Sequence, residues 1–147
     1  MYIVSKCLLG YNCKYNGKNN KNSKVIEFLK GKDFIGICPE EMAGLKVPRN
    51  PIEQFKTGNQ IKIIDEFGND FTNIINFGCE RSYNYIRLIS KQIDRDIDLA
   101  ILKSHSPSCG YKKIYDGTFT NTLTEGFGAF AEMLIENGIP VVSENNL

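Results

Sequence analysis

The chain has 147 residues, 41% of them hydrophobic, and its 18 Lys and Arg against 17 Asp and Glu leave a formal net charge of +1. Proteins that grip nucleic acid through its phosphates usually carry a large basic excess, so this balance argues against a DNA or RNA partner and favours a small molecule. The longest apolar runs fall far below the ~20 residues that cross a bilayer. No charged and then apolar leader follows Met1, so we expect a cytoplasmic protein.

Five cysteines stand in the chain. A single domain of this length can bury a sizeable core without disulfide bonds. Disulfide frameworks belong instead to small secreted proteins. The odd number of cysteines therefore indicates metal binding, catalysis or plain burial.

In the first half of the chain, short apolar runs are separated by polar segments. The pattern predicts a buried strand over 2–4, a polar loop from Leu8 to Asn22, a helix over 23–29 and a second strand over 34–37. Three prolines between Cys38 and Pro51 argue against regular structure there.

The second half continues the alternation. It predicts a strand over 60–65 that enters a turn with an optional small hairpin at 66–70, then a long helix from Thr72 to about Ile93, capped by Asp70 or Thr72. A third strand over 98–103, a glycine-rich loop, a helix over 126–137 and a last strand over 139–142 follow. Short strands alternating with helices predict a single three-layer α/β domain over 1–147 with a mostly parallel sheet.

Three cysteines follow three different predicted strands. Cys7 comes after the first strand, Cys38 after the second, and Cys109 lies in the loop after the third. In open parallel sheets the loops at the carboxyl ends of the strands meet in one crevice, so these thiols should converge. Cys13 shares the loop of Cys7 and could reach the crevice, whereas Cys79 lies inside the long helix.

Three convergent thiolates suit two soft metal centres. One is a zinc site with an open fourth position, and the other is a [4Fe–4S] cluster with one iron left without a protein ligand. No C-x-x-C pair is present, so spacing alone does not choose between them. Each cysteine could also be a small buried hydrophobe; we favour that interpretation for Cys79 and leave it open for Cys13.

Six sequence blocks carry a resemblance to a known family. They are Ser5-Lys6-Cys7-Leu8-Leu9-Gly10, Asn12-Cys13-Lys14-Tyr15-Asn16-Gly17, Cys38-Pro39-Glu40, Pro48-Arg49-Asn50-Pro51, Ser106-Pro107-Ser108-Cys109-Gly110 and Ile114-Tyr115-Asp116-Gly117-Thr118-Phe119. In this order, and over essentially the whole chain, they resemble the motifs of the TudS thiouracil desulfidase family. The chain departs from the family at Lys14, where Arg is common, and at Ala43-Gly44, where Gly-Gly is common.

The resemblance implies a Rossmann-like domain with an oxygen-sensitive [4Fe–4S] cluster. It further implies non-redox removal of sulfur from thiolated pyrimidines, with 2-thiouracil giving uracil and hydrogen sulfide. Carried over block by block, the cluster ligands are Cys7, Cys38 and Cys109. The catalytic acid–base positions are Glu40, which would take the proton of an attacking water, and Ser106, which would bind the substrate or relay the proton.

Without the resemblance, the same residues have plainer interpretations. Glu40 would be a solvated loop carboxylate and Ser106 a turn residue. We expect His105, the single histidine, to be a solvent-facing loop residue.

Two features near the expected crevice keep further possibilities open. Asp116-Gly117-Thr118 is first a turn signal, but neighbouring Tyr115 or Phe119 could stack on a pyrimidine ring. A rival class of function is an iron–sulfur or zinc-binding carrier of sulfur or a small molecule that performs no catalysis.

Overall fold

Strands and helices alternate along the chain in the computed structural model, which describes residues 1–147. The elements are β1 (Tyr2–Ser5), a 3₁₀ turn (Lys6–Leu9), α1 (Ser23–Leu29), β2 (Phe34–Ile37), α2 (Pro39–Met42), β3 (Ile52–Thr57), β4 (Gln60–Asp65), α3 (Thr72–Gln92), β5 (Leu99–Leu102), β6 (Lys113–Tyr115), β7 (Leu123–Glu125), α4 (Ala129–Glu136), β8 (Val141–Ser143) and a second 3₁₀ turn (Glu144–Asn146).

A four-stranded parallel sheet with the order β2-β1-β5-β8 lies at the centre. The predicted α/β class with a mostly parallel sheet is confirmed. The strands predicted over 2–4, 34–37 and 98–103 are present as β1, β2 and β5. The last strand, β8, begins two residues later than predicted, at Val141. Parallel pairing brings the carboxyl ends of β1, β2 and β5 to the same edge.

The two faces of the sheet are covered by different helices. Ile3 and Leu102 belong to the larger apolar cluster, which includes residues of α3 and α4, while Val4 and Ile101 belong to a smaller cluster with α1. Successive side chains of a strand point to opposite faces, so β1 and β5 are buried on both sides. Their near-continuous apolar sequence follows from that position.

Side-chain hydrogen bonds to backbone N–H groups lie at the start of two helices. Asn22 caps α1 because its side chain accepts hydrogen bonds from the backbone N–H groups of Lys24 and Val25. At the start of α3 the predicted cap, Asp70 or Thr72, is wrong, because Phe71 occupies the capping position without a side-chain hydrogen bond; Asp70, one residue earlier, accepts from the backbone N–H of Thr72. The Thr72 hydroxyl instead accepts from the backbone of Ile63 and so joins the helix to β4.

Several predictions about the connecting segments are wrong. The proline-rich stretch contains the short helix α2, since a proline at the first helical position loses no hydrogen bond. Strand β4 pairs with the upstream β3, which was not predicted, through a tight turn with Gly58 at φ 58°. A second hairpin, β6-β7, lies in the predicted glycine-rich loop. Helix α4 begins at Ala129, three residues later than predicted.

No helix of this chain combines the length and the apolar character that crossing a membrane requires.

Candidate metal centre

A cavity of about 510 Å³ opens at the edge where β1, β2 and β5 end. Four of the five cysteines line it: Cys7, Cys13, Cys38 and Cys109. The structure thus brings together the three strand-end cysteines and adds Cys13 to them. Cys79 is fully buried in the apolar core on α3, as the sequence indicated.

Each thiol is held by the local backbone after its strand. Cys7 lies in the 3₁₀ turn that follows β1, and its Sγ accepts a hydrogen bond from Asn20 Nδ2 at 3.6 Å. Cys38 occupies the capping position before α2. The backbone N–H of Cys109 donates to Oγ of Ser106 at 3.1 Å, which shapes the loop after β5.

The pKa differs among the four thiols of the cavity. Hydrogen bonding from Cys13 lowers the pKa of Cys7 to about 7 and also lowers the pKa of Cys38. The pKa of Cys13 is raised because its proton is held between Cys38 and Cys7. Burial raises the pKa of Cys109 well above its ordinary value. The thiols of Cys7 and Cys38 are therefore more acidic than the thiol of Cys13 beside them.

Glu40 is a fixed carboxylate and is not a solvated loop residue. Its Oε2 accepts hydrogen bonds from Arg49 Nε at 2.9 Å and Nη2 at 2.5 Å, and its Oε1 accepts from the Ser108 hydroxyl at 3.1 Å. The side chains of Glu40 and Arg49 are 14% and 11% exposed. Arg49 Nη2 also donates to the carbonyl of Cys13. A charged, oriented carboxylate therefore lines the cavity two residues after Cys38.

Ser106 organises the loop that carries Cys109. Its Oγ accepts hydrogen bonds from the backbone N–H groups of Ser108 and Cys109, both at 3.1 Å. This contact matches the turn-residue interpretation of the sequence, and Ser106 also lines the cavity. With both hydroxyl lone pairs engaged, the hydroxyl proton of Ser106 remains available to donate.

One wall of the cavity is aromatic. The rings of His105 and Tyr115 meet edge to face with centroids 5.8 Å apart, and Phe119 lies on the same cavity lining. The expectation of a solvent-facing His105 is wrong: it is half-buried, and desolvation lowers its pKa. The buried carboxylate of Glu53 accepts from the backbone N–H groups of Gly117 and Phe119, which fixes the turn between β6 and β7.

Basic side chains at the cavity are largely paired. Lys6 forms a 2.7 Å ion pair with Glu41, and Lys103 forms a 2.5 Å ion pair with Glu144. Lys14 lines the cavity as well. Positive charge beside the thiols is thus balanced by carboxylates on neighbouring loops.

Comparison with known proteins places this geometry in a family. The sequence model of the 2-thiouracil desulfurase family matches residues 2–146. The chain belongs to this family. A solved structure described as the [4Fe-4S]-dependent thiouracil desulfidase TudS is similar, with 35% identity and a TM-score of 0.82, and the match covers 99% of this chain and 91% of that one. An uncharacterised protein of Bacillus subtilis (strain 168), YbbK, is 35% identical over 153 residues, which cover all of this chain and 97% of that protein.

Some residues that shape the site in this desulfurase-family chain were not singled out in the sequence. Ser108 stands within a recognised block, yet its contact with Glu40 joins a loop to helix α2, which lies far away in the chain. Gln54 donates from Nε2 to the carbonyls of Pro107 and Phe127, and Glu53 fixes the β6-β7 turn. Glu53 and Gln54 belong to β3, which was not predicted from the sequence, so these two contacts could not be anticipated.

Proposed function

We propose that this protein is a thiouracil desulfidase that holds a [4Fe–4S] cluster on Cys7, Cys38 and Cys109. Its reaction would convert 2-thiouracil and water into uracil and hydrogen sulfide, without net oxidation or reduction. The observation that carries the proposal is the meeting of these thiols with the fixed carboxylate of Glu40 in one cavity of a 2-thiouracil desulfurase-family chain.

The donor set fits such a cluster. Thiolate sulfur is the usual ligand of iron–sulfur clusters, and these three cysteines reach the cavity from three different parallel strands. Three protein ligands leave one iron without one. When bound, the cluster would supply a Lewis-acidic iron with a free position suited to a soft thiocarbonyl sulfur.

Glu40 is placed to handle protons during attack of water on the C=S carbon. Arg49 engages Oε2 with two N–H groups, whereas Oε1 receives only the Ser108 hydroxyl and keeps a lone pair. In the proposed step, a C–O bond forms while Glu40 takes one proton from the water and passes it to the sulfur. The C–S bond then breaks as the oxygen becomes a carbonyl, and the second water proton leaves with the sulfur as hydrogen sulfide. General acid–base assistance of this kind contributes about 10²–10⁴-fold.

Ser106 is proposed to bind the substrate. Its oxygen already accepts two backbone hydrogen bonds, so its remaining role is to donate its proton. 2-Thiouracil presents its carbonyl oxygen as an acceptor to such a donor, whereas its two ring N–H groups are donors themselves. A proton-relay role would require Ser106 to release one of those backbone contacts.

The cavity also suits a small planar ring. Its volume of about 510 Å³ lies within the range of about 300–1,000 Å³ usual for small-molecule sites. His105, Tyr115 and Phe119 supply aromatic surface against which a pyrimidine could pack. The same wall would discriminate weakly between substituted pyrimidines, because stacking is tolerant of ring substituents.

The test is anaerobic turnover of 2-thiouracil by the reconstituted full-length protein, with uracil and hydrosulfide measured together. We expect many turnovers per protein, and a loss of at least about 100-fold in kcat in Glu40→Gln with iron content and visible absorption unchanged. Glu136→Gln, an exposed substitution on α4, is the matched control. A single sulfur released per protein would favour the carrier function, and an unimpaired Glu40→Gln would remove Glu40 from the reaction.

A further inference from the structure

The four thiols of the cavity are unevenly spaced. The Cys13 thiol lies within 4.8 Å of the Cys38 thiol, and it interacts with the Cys7 thiol as well. Cys109 is buried, and the Ser5 hydroxyl lies beside its thiol. A compact set around Cys13 is thus distinct from the wider set of strand-end cysteines.

A carboxylate completes the compact set. The ligand atoms of Cys13, Cys38 and Glu41 all lie within 4.8 Å of one another. Cys13 is buried, Cys38 is half-buried and Glu41 is exposed, so the group runs from the cavity to the surface. Solvent can therefore reach the Glu41 end of the group.

This spacing fits a single ion better than a cluster. Tetrahedral zinc with Zn–S bonds of about 2.3 Å places its ligand atoms about 3.8 Å apart. In a [4Fe–4S] cluster each cysteine binds a different iron, so the ligand thiols must stand farther apart. Cysteine sulfur and carboxylate oxygen are also both ligands that Zn²⁺ uses in proteins.

We infer that the cluster-free chain binds one Zn²⁺ on Cys13, Cys38 and Glu41, with a water molecule as the fourth ligand of the tetrahedron. Zinc replaces the Lys6 ammonium as the partner of Glu41. The Lys6 side chain is 29% exposed and pairs with Glu41 over 2.7 Å, so it can turn into solvent when the ion binds.

Zinc and the cluster then compete for the same chain. Both need Cys38, so only one can be bound at a time; this consequence rests on the proposed function. Zinc-loaded protein would be folded and colourless, and would take up the cluster only after zinc is withdrawn. Cys13 thereby has a role of its own in the cluster-free state.

Zinc binding is tested on the full-length, cluster-free protein, reduced and freed of metal. Competition with a chromophoric chelator gives the affinity for Zn²⁺, and Co²⁺ substitution reports thiolate ligation through its charge-transfer and ligand-field bands. We expect one Zn²⁺ per chain and tetrahedral, thiolate-bound Co²⁺. Absence of stoichiometric zinc would overturn the inference.

Variants separate the two sites. Because loss of even an outer partner of a metal ligand costs about 10- to 100-fold in affinity, Cys13→Ser and Glu41→Gln should each weaken zinc binding at least tenfold. Cys109→Ser, a change of thiol in the same cavity, should leave zinc affinity unchanged. The exposed position of Glu41 makes Glu41→Gln safe for folding. Full affinity in either Cys13→Ser or Glu41→Gln, or an equal loss in Cys109→Ser, would contradict the site.

Reconstitution with iron and sulfide completes the comparison. Cys13→Ser should still acquire the visible absorption of the cluster, whereas Cys109→Ser should not. If wild type bound zinc as described but acquired no cluster, the proposed function would fail while the zinc site stood. If wild type acquired the cluster but bound no zinc, only the zinc site would fail.

Discussion

The hydroxyl of Ser108 donates a hydrogen bond to Oε1 of Glu40 at 3.1 Å, across 68 residues of sequence. Ser108 lies directly before Cys109, and Glu40 lies two residues after Cys38. The contact therefore ties the loop after β5 to helix α2 beside the cavity. Since Arg49 holds the other carboxylate oxygen, the orientation of Glu40 depends on both partners.

Removing the Ser108 hydroxyl should impair catalysis more than cluster binding. In Ser108→Ala the carboxylate of Glu40 loses one of its two anchors, and misplacement of a catalytic group by about 1 Å can cost about 100-fold in rate. We expect kcat for 2-thiouracil to fall at least tenfold, with KM and visible absorption near wild type. Ser82→Ala, another buried serine but one that donates within α3, is the control. Unchanged kcat in cluster-loaded Ser108→Ala would refute this dependence.

Arg49 should matter for stability as well as for orientation. Removing one partner of a largely buried ion pair leaves an uncompensated charge, so Arg49→Gln should lower the free energy of unfolding by about 3 kcal/mol. Urea denaturation of the metal-free protein measures this. Lys30→Gln is the control, because Lys30 and Glu27 are 69% and 70% exposed and such pairs contribute about 0–1 kcal/mol. Equal losses in the two variants would contradict a structural role for the Arg49 pair.

Glu144 should make stability dependent on acid pH. Burial raises the pKa of Glu144, but hydrogen bonds from Lys103 and Ser104 outweigh it, so the pKa lies below its ordinary 4.5. A lowered folded-state pKa gives stability that is present above the unfolded value and lost as the pH falls through the folded one.

Glu144→Gln should therefore unfold more easily than wild type at pH 7, by about 1–3 kcal/mol. The difference should narrow as the pH drops below 4.5. Urea midpoints measured across this range test it. A difference that stays constant with pH would show that the charge of Glu144 contributes nothing.

Gly78 is a helix residue that should not tolerate alanine. A Cβ at this position of α3 would lie 2.2 Å from the carbonyl oxygen of Pro39 and 2.7 Å from the Cβ of Ala43. Helix propensity alone favours alanine by about 1 kcal/mol, but pushing α3 away from α2 should reverse the sign and destabilise by about 1–3 kcal/mol.

Thermal unfolding compares Gly78→Ala with Asn84→Ala, an exposed position of the same helix. The second variant should be slightly stabilised by its better helix propensity. If Gly78→Ala were also stabilised, close packing of α2 on α3 would be wrong. Because α2 carries Glu40, a shift of α2 should also lower turnover.

The predictable parts of the fold were those set by local periodicity. Strands β1, β2 and β5, with helices α1 and α3, follow directly from the spacing of apolar residues. Strand β3 was missed because the prolines before it suggested irregular structure and its pairing partner β4 could be matched to a turn on either side.

Only those residues of the candidate site whose position after a strand can be read from the sequence were predictable. Cys7, Cys38 and Cys109 were found because each follows a strand, and the rule for parallel sheets needs no side-chain detail. The partners of Glu40 could not be derived this way: Ser108 meets Glu40 only through tertiary packing. The burial of His105 likewise depends on the β6-β7 hairpin, which local sequence did not indicate.

The most direct test of the account is the amount of uracil formed per cluster, measured anaerobically in wild type and in Cys109→Ser treated identically with iron and sulfide. The account predicts many uracil molecules and equal hydrosulfide per cluster in wild type, and neither cluster nor uracil in Cys109→Ser. Cluster-loaded wild type that leaves 2-thiouracil intact, or equal turnover in Cys109→Ser, would contradict it.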